Sequence, residues 1–121
     1  MQLINDRTRR VVAHAVELAD TRKARRRGLL GRESLQEGAA LMIVPCVAIH
    51  TAFMRFAIDV VFINKDGRVV RTVLRMEPWR IAAAWRARAV IELPAGHLES
   101  SPMKIGDRLY LKPVTEHRRA S

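Results

Sequence analysis

Cysteine is almost missing from this sequence: Cys46 stands alone, so no internal disulfide can form and the fold must rest on packing and backbone hydrogen bonds. Long uncharged stretches are missing too. Arg55, Asp59 and Arg68 cut the apolar runs short of the roughly 18 to 20 residues that a membrane-crossing helix needs. Residues 1–20 are interrupted by Asp6, Arg7, Arg9, Arg10 and Glu17 and do not read as a signal peptide, so the expected location is cytoplasmic by default, or exported if a leader has been removed. No repeat or low-complexity linker is present, and neither are the sequence signatures of a phosphate loop, a serine nucleophile elbow or a glycosidase carboxylate pair. Lysine is scarce, so the net charge of +10 comes mainly from arginine. Aromatics make up only 5% of the chain. A nucleic-acid surface interleaves arginines with exposed rings, whereas here the positive charge is scattered and Phe53, Phe56 and Phe62 sit among apolar neighbours. The expectation is an arginine-rich composition, with salt-sensitive, non-specific nucleic-acid binding as a weaker alternative function.

What is present fits one domain over residues 1–121, with 113–121 as a flexible basic tail. Leu3 and Ile4, a polar turn at residues 5–8 and an apolar run over 11–18 predict an opening hairpin. Asp20 or Thr21 can cap a short helix through the arginines that follow, and Gly28 suits its end. Residues 39–44 read as a buried strand. Asn64-Lys65-Asp66-Gly67 marks a hairpin turn between strands at 60–63 and 69–76, and further strands are expected at 90–93 and 108–112. Residues 81–89 are compatible with a loop, a short helix or an edge strand. Many short strands with one or two short helices predict a mainly β fold, α+β at the margin: a compact antiparallel barrel-like or sandwich domain.

The segment at 49–63 carries the candidate chemistry. It is nearly continuous apolar sequence, yet it contains His50, Arg55 and Asp59, groups that are costly to bury unless paired. One reading makes Asp59 a buried group that fixes strand register. The other gathers His50, Thr51, Arg55 and Asp59, with Trp79 as an apolar wall, into a ligand-binding cluster at the mouth of a barrel. Trp85, Met54 and Met76 are further candidates for that wall, and all four residues, Trp79 included, read equally well as core. Cys46 and His50 would form a nucleophile pair only if the chain turned between them, because four residues of strand span about 13 Å; Cys46 otherwise reads as a small buried side chain. A metal site on Cys46, His50, His97 and Glu99 lacks the closely spaced ligand pairs of structural zinc sites, so neither a metal nor a cofactor is expected.

Several motifs together resemble a known family. Arg27-Gly28-Leu29-Leu30-Gly31-Arg32, His50-Thr51, Met54-Arg55-Phe56, and Ile58-Asp59-Val60-Val61-Phe62-Ile63 follow one another in its order. Asp66-Gly67-Arg68-Val69-Val70, Pro78-Trp79, Ile91-Glu92-Leu93-Pro94-Ala95-Gly96 and Ile105-Gly106-Asp107 continue the series. The chain is similar, from about Ala19 to Leu111, to the uncharacterised prokaryotic family named domain of unknown function one-ninety-two. Many of its members have Gly-Leu-Met in place of Gly28-Leu29-Leu30. The resemblance implies a compact β-rich, barrel-like domain with short helices, and it implies no activity. The function expected is a binding module for a small ligand or protein partner; the alternative is an enzyme of unknown reaction that uses the same His/Arg/Asp cluster.

Overall fold

The computed structural model describes residues 1–114. The expected basic tail falls, from residue 115 onward, outside the described residues. The described residues form ten strands and two short helices: β1 Gln2–Asn5, β2 Arg10–Ala13, β3 Ala15–Ala19, α1 Arg22–Arg27, β4 Ala39–Ile43, β5 Ala48–His50, β6 Ile58–Ile63, β7 Val69–Met76, β8 Ile81–Ala83, β9 Ala89–Pro94, α2 His97–Ser100 and β10 Leu109–Lys112. The mainly β architecture expected from the sequence is the one found. None of the helices described is long and apolar enough to cross a membrane.

A five-stranded sheet of order β3-β4-β9-β6-β7 forms the centre. Its inner strands β6 (IDVVFI) and β9 are buried along nearly their whole length, because both faces of the sheet are covered; this is why they read as continuous apolar runs. Alternation along β6 sends Val61 and Ile63 to one face and Ile58, Val60 and Phe62 to the other. The first face packs on the three-stranded sheet β10-β1-β2 through Leu3, Val12 and Leu109. The second packs on Leu29 and Leu30 after α1, and on Ile49 and Ala82 of the two-stranded sheet β5-β8.

The run at 11–18 is two strands rather than one. The chain bends at His14, where the amides of His14 and Ala15 both donate to the Gly38 carbonyl (2.8 and 3.1 Å), so β2 enters the small sheet and β3 the central one. β3 and β4 pair in parallel, an exception to the antiparallel expectation. Parallel neighbours need a long crossover, and the segment carrying α1 supplies it. Helix α1 is capped as the sequence suggests: the Thr21 hydroxyl accepts from the Ala24 amide at 3.0 Å, and Gly28, at φ 50°, donates its N–H to the Ala24 carbonyl. The turn at 64–67 is held by Asn64 Oδ1, which accepts the amides of Asp66 and Arg68 at 2.9 Å each. Gly67 there is obligatory: at φ 80°, a Cβ would lie 2.6 Å from the Leu109 carbonyl oxygen. The undecided stretch at 81–89 is β8, a turn, and the start of β9.

The first and last strands close the small sheet, with Gln2 opposite Lys112. Beside this pairing the Asp107 carboxylate accepts from Arg7 Nε (2.6 Å), Asn5 Nδ2 (3.0 Å) and the Lys104 amide (2.9 Å). The Arg7 hydrogen bond is the main reason that its carboxyl is held well below the usual range.

Candidate functional site

A cavity of about 360 Å³ opens between α1, the turn leading into β5, and the second face of the central sheet. Ile43, Ile49, Met54, Leu29 and Leu30 supply its apolar walls, Cys46 and His50 lie along one side, and Arg22, Arg25, Arg26 and Arg27 stand on α1 above it. These arginines are presented together because α1 is a single capped turn and a half with no acidic residue in its first turn and three arginines in its last, where the helix dipole favours them.

Glu92 lines the same cavity. It lies on β9 opposite Val60 and Leu41, 3% exposed, and among the described residues its Oε1 has no hydrogen-bond partner. Burial pushes its carboxyl up from 4.5 to about 7, against a smaller opposing pull from Arg32. At neutral pH the group therefore divides between a protonated form, able to donate a hydrogen bond into the cavity, and a carboxylate. The sequence reading attached no role to Glu92. The signal was available: a lone carboxylate inside the apolar run at 90–93 resembles that of Asp59 in its own strand.

The structure separates the five residues expected to form one site. His50 is exposed at the cavity, its Nδ1 accepting the Ala52 amide at 3.3 Å. Arg55 is exposed as well and faces Glu33 at 3.6 Å. Neither is a buried charge, as the apolar run had suggested, because the chain leaves β5 at residue 51 and loops outward before β6 begins. Asp59 alone of the three is buried. Its Oδ1 accepts the Arg75 amide and its Oδ2 the Leu98 amide, both at 2.8 Å, so it ties β6 to a bulge in β7 and to the start of α2. By alternation with Val60 it occupies the face of the sheet opposite to Glu92 and the cavity.

Thr51 is fully buried and joins two loops: its hydroxyl donates to the Glu77 carbonyl at 2.6 Å and accepts the Arg80 amide at 2.9 Å, while its carbonyl accepts the amides of Met54 and Trp79. Each loop then turns through a left-handed aromatic, Phe53 at φ 65° and Trp79 at φ 66°, whose ring centroids lie 4.6 Å apart. Both rings point outward. Phe53, expected among apolar neighbours, is 73% exposed, and Trp79 and Trp85, offered as pocket wall or core, are 60% and 91% exposed. In an otherwise apolar sequence the rings escape burial because these turns leave the sheet before it can cover them. Met54 does line the cavity, and Met76 is buried in the core on that face.

Cys46 is half-buried rather than enclosed and lines the same cavity as His50, with a bend at Val47 between them. Burial pushes its thiol up, and its Sγ donates to the Ala48 carbonyl at 3.1 Å. Thiol attack requires the thiolate, so this burial runs against an activated nucleophile. His97 and Glu99 stand apart on α2, and no three potential metal ligands cluster among the described residues.

The family model DUF192, described as "Uncharacterized ACR", matches residues 3–111. A UPF0127 protein of Pyrococcus furiosus is 40% identical over 63 residues, covering 51% of this chain and 53% of its own, so that match spans about half of the relative's length. A UPF0127 protein of Pyrococcus horikoshii is 36% identical over 100 residues, covering 78% and 84%. Two solved structures share the fold. One, from Novosphingobium aromaticivorans and described as of unknown function, has a TM-score of 0.78 at 21% identity and covers 91% of this chain and 82% of its own. The other, described as a putative transcription regulator from Sinorhizobium meliloti, has a TM-score of 0.77 at 24% identity and covers 90% and 89%.

Proposed function

The chain belongs to the uncharacterised family DUF192, and from that premise we propose that it is a binding module for a small anionic ligand, held in the cavity beneath α1. The observation that carries this reading is Glu92: a buried carboxyl, with no partner at Oε1 among the described residues, in the lining of a cavity whose rim holds four arginines. An unpaired buried polar atom is costly, and a ligand oxygen accepting from protonated Glu92 would relieve that cost while arginines of α1 meet the ligand's charge. The cavity falls within the size range of small-molecule sites and combines apolar walls with few polar groups. Among the five residues expected from the sequence, we assign His50 to the ligand. Thr51 and Asp59 hold the surrounding loops, and Arg55 and Trp79 lie outside the site.

The test is a thermal-shift panel of phosphorylated and carboxylated metabolites on the wild type, Glu92→Gln and Arg25→Ala. A ligand at a hundred times its dissociation constant should add about 2.7 kcal/mol to stability. The expected result is a shift in the wild type that shrinks in Arg25→Ala and weakens as pH rises through the Glu92 titration. A panel in which no anion stabilises the wild type on either side of that titration would end the proposal.

A further inference from the structure

We propose that the Phe53–Trp79 face is a docking surface for the headgroup region of an anionic lipid bilayer. Thr51 pins the two loops together, and both aromatic residues adopt left-handed backbone that ordinarily falls to glycine or asparagine. Neither strained backbone is offset by burying its ring, so the one thing the arrangement secures is an outward aromatic pair. Further apolar side chains are exposed on β7 and β8, the strands that flank Trp79 in the chain. Leu74 and Ile81, the latter 80% exposed, line an open groove with Arg71, Arg75 and Arg80. Arg55 follows Phe53 closely in the chain, and the exposed Trp85 is followed by Arg86. Of the nearby acids, Glu99 is taken up by Arg75 at 2.9 Å and Glu33 by Arg55 at 3.6 Å, which leaves Glu77 against Arg71 and Arg80 in the groove.

Charge decides the occupant. A second copy of the chain would bring arginines face to face, so self-association through this surface is disfavoured and an anionic partner is favoured. Single-stranded nucleic acid could stack on the rings but would leave Leu74 and Ile81 without a role. The interfacial layer of an anionic bilayer accommodates aromatic, aliphatic and arginine side chains together. This surface does not depend on the ligand proposed for the cavity.

The experiment is co-sedimentation of the full chain with phosphatidylcholine vesicles, with and without phosphatidylserine, at low salt. Binding should require phosphatidylserine and shift tryptophan emission to the blue. The double variant Phe53→Asn/Trp79→Asn retains every backbone hydrogen bond of the two turns and suits their left-handed geometry, so its melting temperature should equal or exceed that of the wild type. Its vesicle affinity should fall by about tenfold or more. The proposal is overturned by failure to bind phosphatidylserine vesicles, by binding that the double variant leaves unchanged, or by tighter binding to oligo-dT that the same variant abolishes.

Discussion

Each face of the central sheet buries one carboxylate, and the two are held in opposite ways. On the face toward the three-stranded sheet, Asp59 gives both oxygens to backbone amides far apart in sequence, those of Arg75 and Leu98. On the other face, Glu92 has no partner for Oε1 among the described residues and borders a cavity rimmed by arginine. Burial alone therefore does not distinguish structure from function. A satisfied carboxylate sets the positions of strands and loops, while the unsatisfied one beside open volume is the observation on which the proposed ligand site rests.

The sharpest way to break this comparison is Asp59→Ala, which strands the buried Leu98 amide and the partly buried Arg75 amide and should cost about 3 kcal/mol of stability, read by urea denaturation. Asp59→Asn keeps one acceptor and should cost less. An Asp59→Ala variant as stable as the wild type would remove the structural role. Glu92 should show itself through pH. The folded chain keeps a proton that the unfolded chain releases, so stability should fall as pH rises from about 4.5 to about 7 and then level off. The loss across that window is about 3 kcal/mol, and Glu92→Gln should flatten the curve. If Glu92→Gln follows the wild-type curve, the carboxyl is not the buried group described. The smallest effect belongs to the rim: Thr21→Ala removes the α1 cap at a cost of about 1 kcal/mol. It should weaken anion binding without altering the Glu92 pH dependence, and an unchanged ligand affinity would show that the order of α1 does not matter to the site.

Much of the fold was legible because local chemistry dictates it. The Thr21 cap, the Gly28 stop and the Asn64–Gly67 turn each depend on residues near one another in the chain. The parallel β3–β4 pair and the β5–β8 pair were not legible, because strand partners are chosen by tertiary packing rather than by neighbours in sequence. For the site, Asp59 and Thr51 stood out as polar residues inside apolar sequence, but the face each one takes follows only from strand phase and the position of the loop at 51–57. Glu92 carried the same signal and acquires its meaning from α1, which the crossover brings over it from a distant part of the chain. Phe53 and Trp79 misled for the reverse reason: their composition says core, while their backbone geometry turns them out.

The pairing of β1 with β10 also has a consequence for biosynthesis. β1 leaves the ribosome before its partner, and the strand that completes its hydrogen bonding, Leu109–Lys112, is made more than a hundred residues later. Until then Leu3 and Ile4 lack part of their final cover and β1 presents an open edge. The nascent chain is thus committed to closing its small sheet only after translation has passed Lys112, and that interval is when this protein is most exposed to aggregation and to chaperone capture.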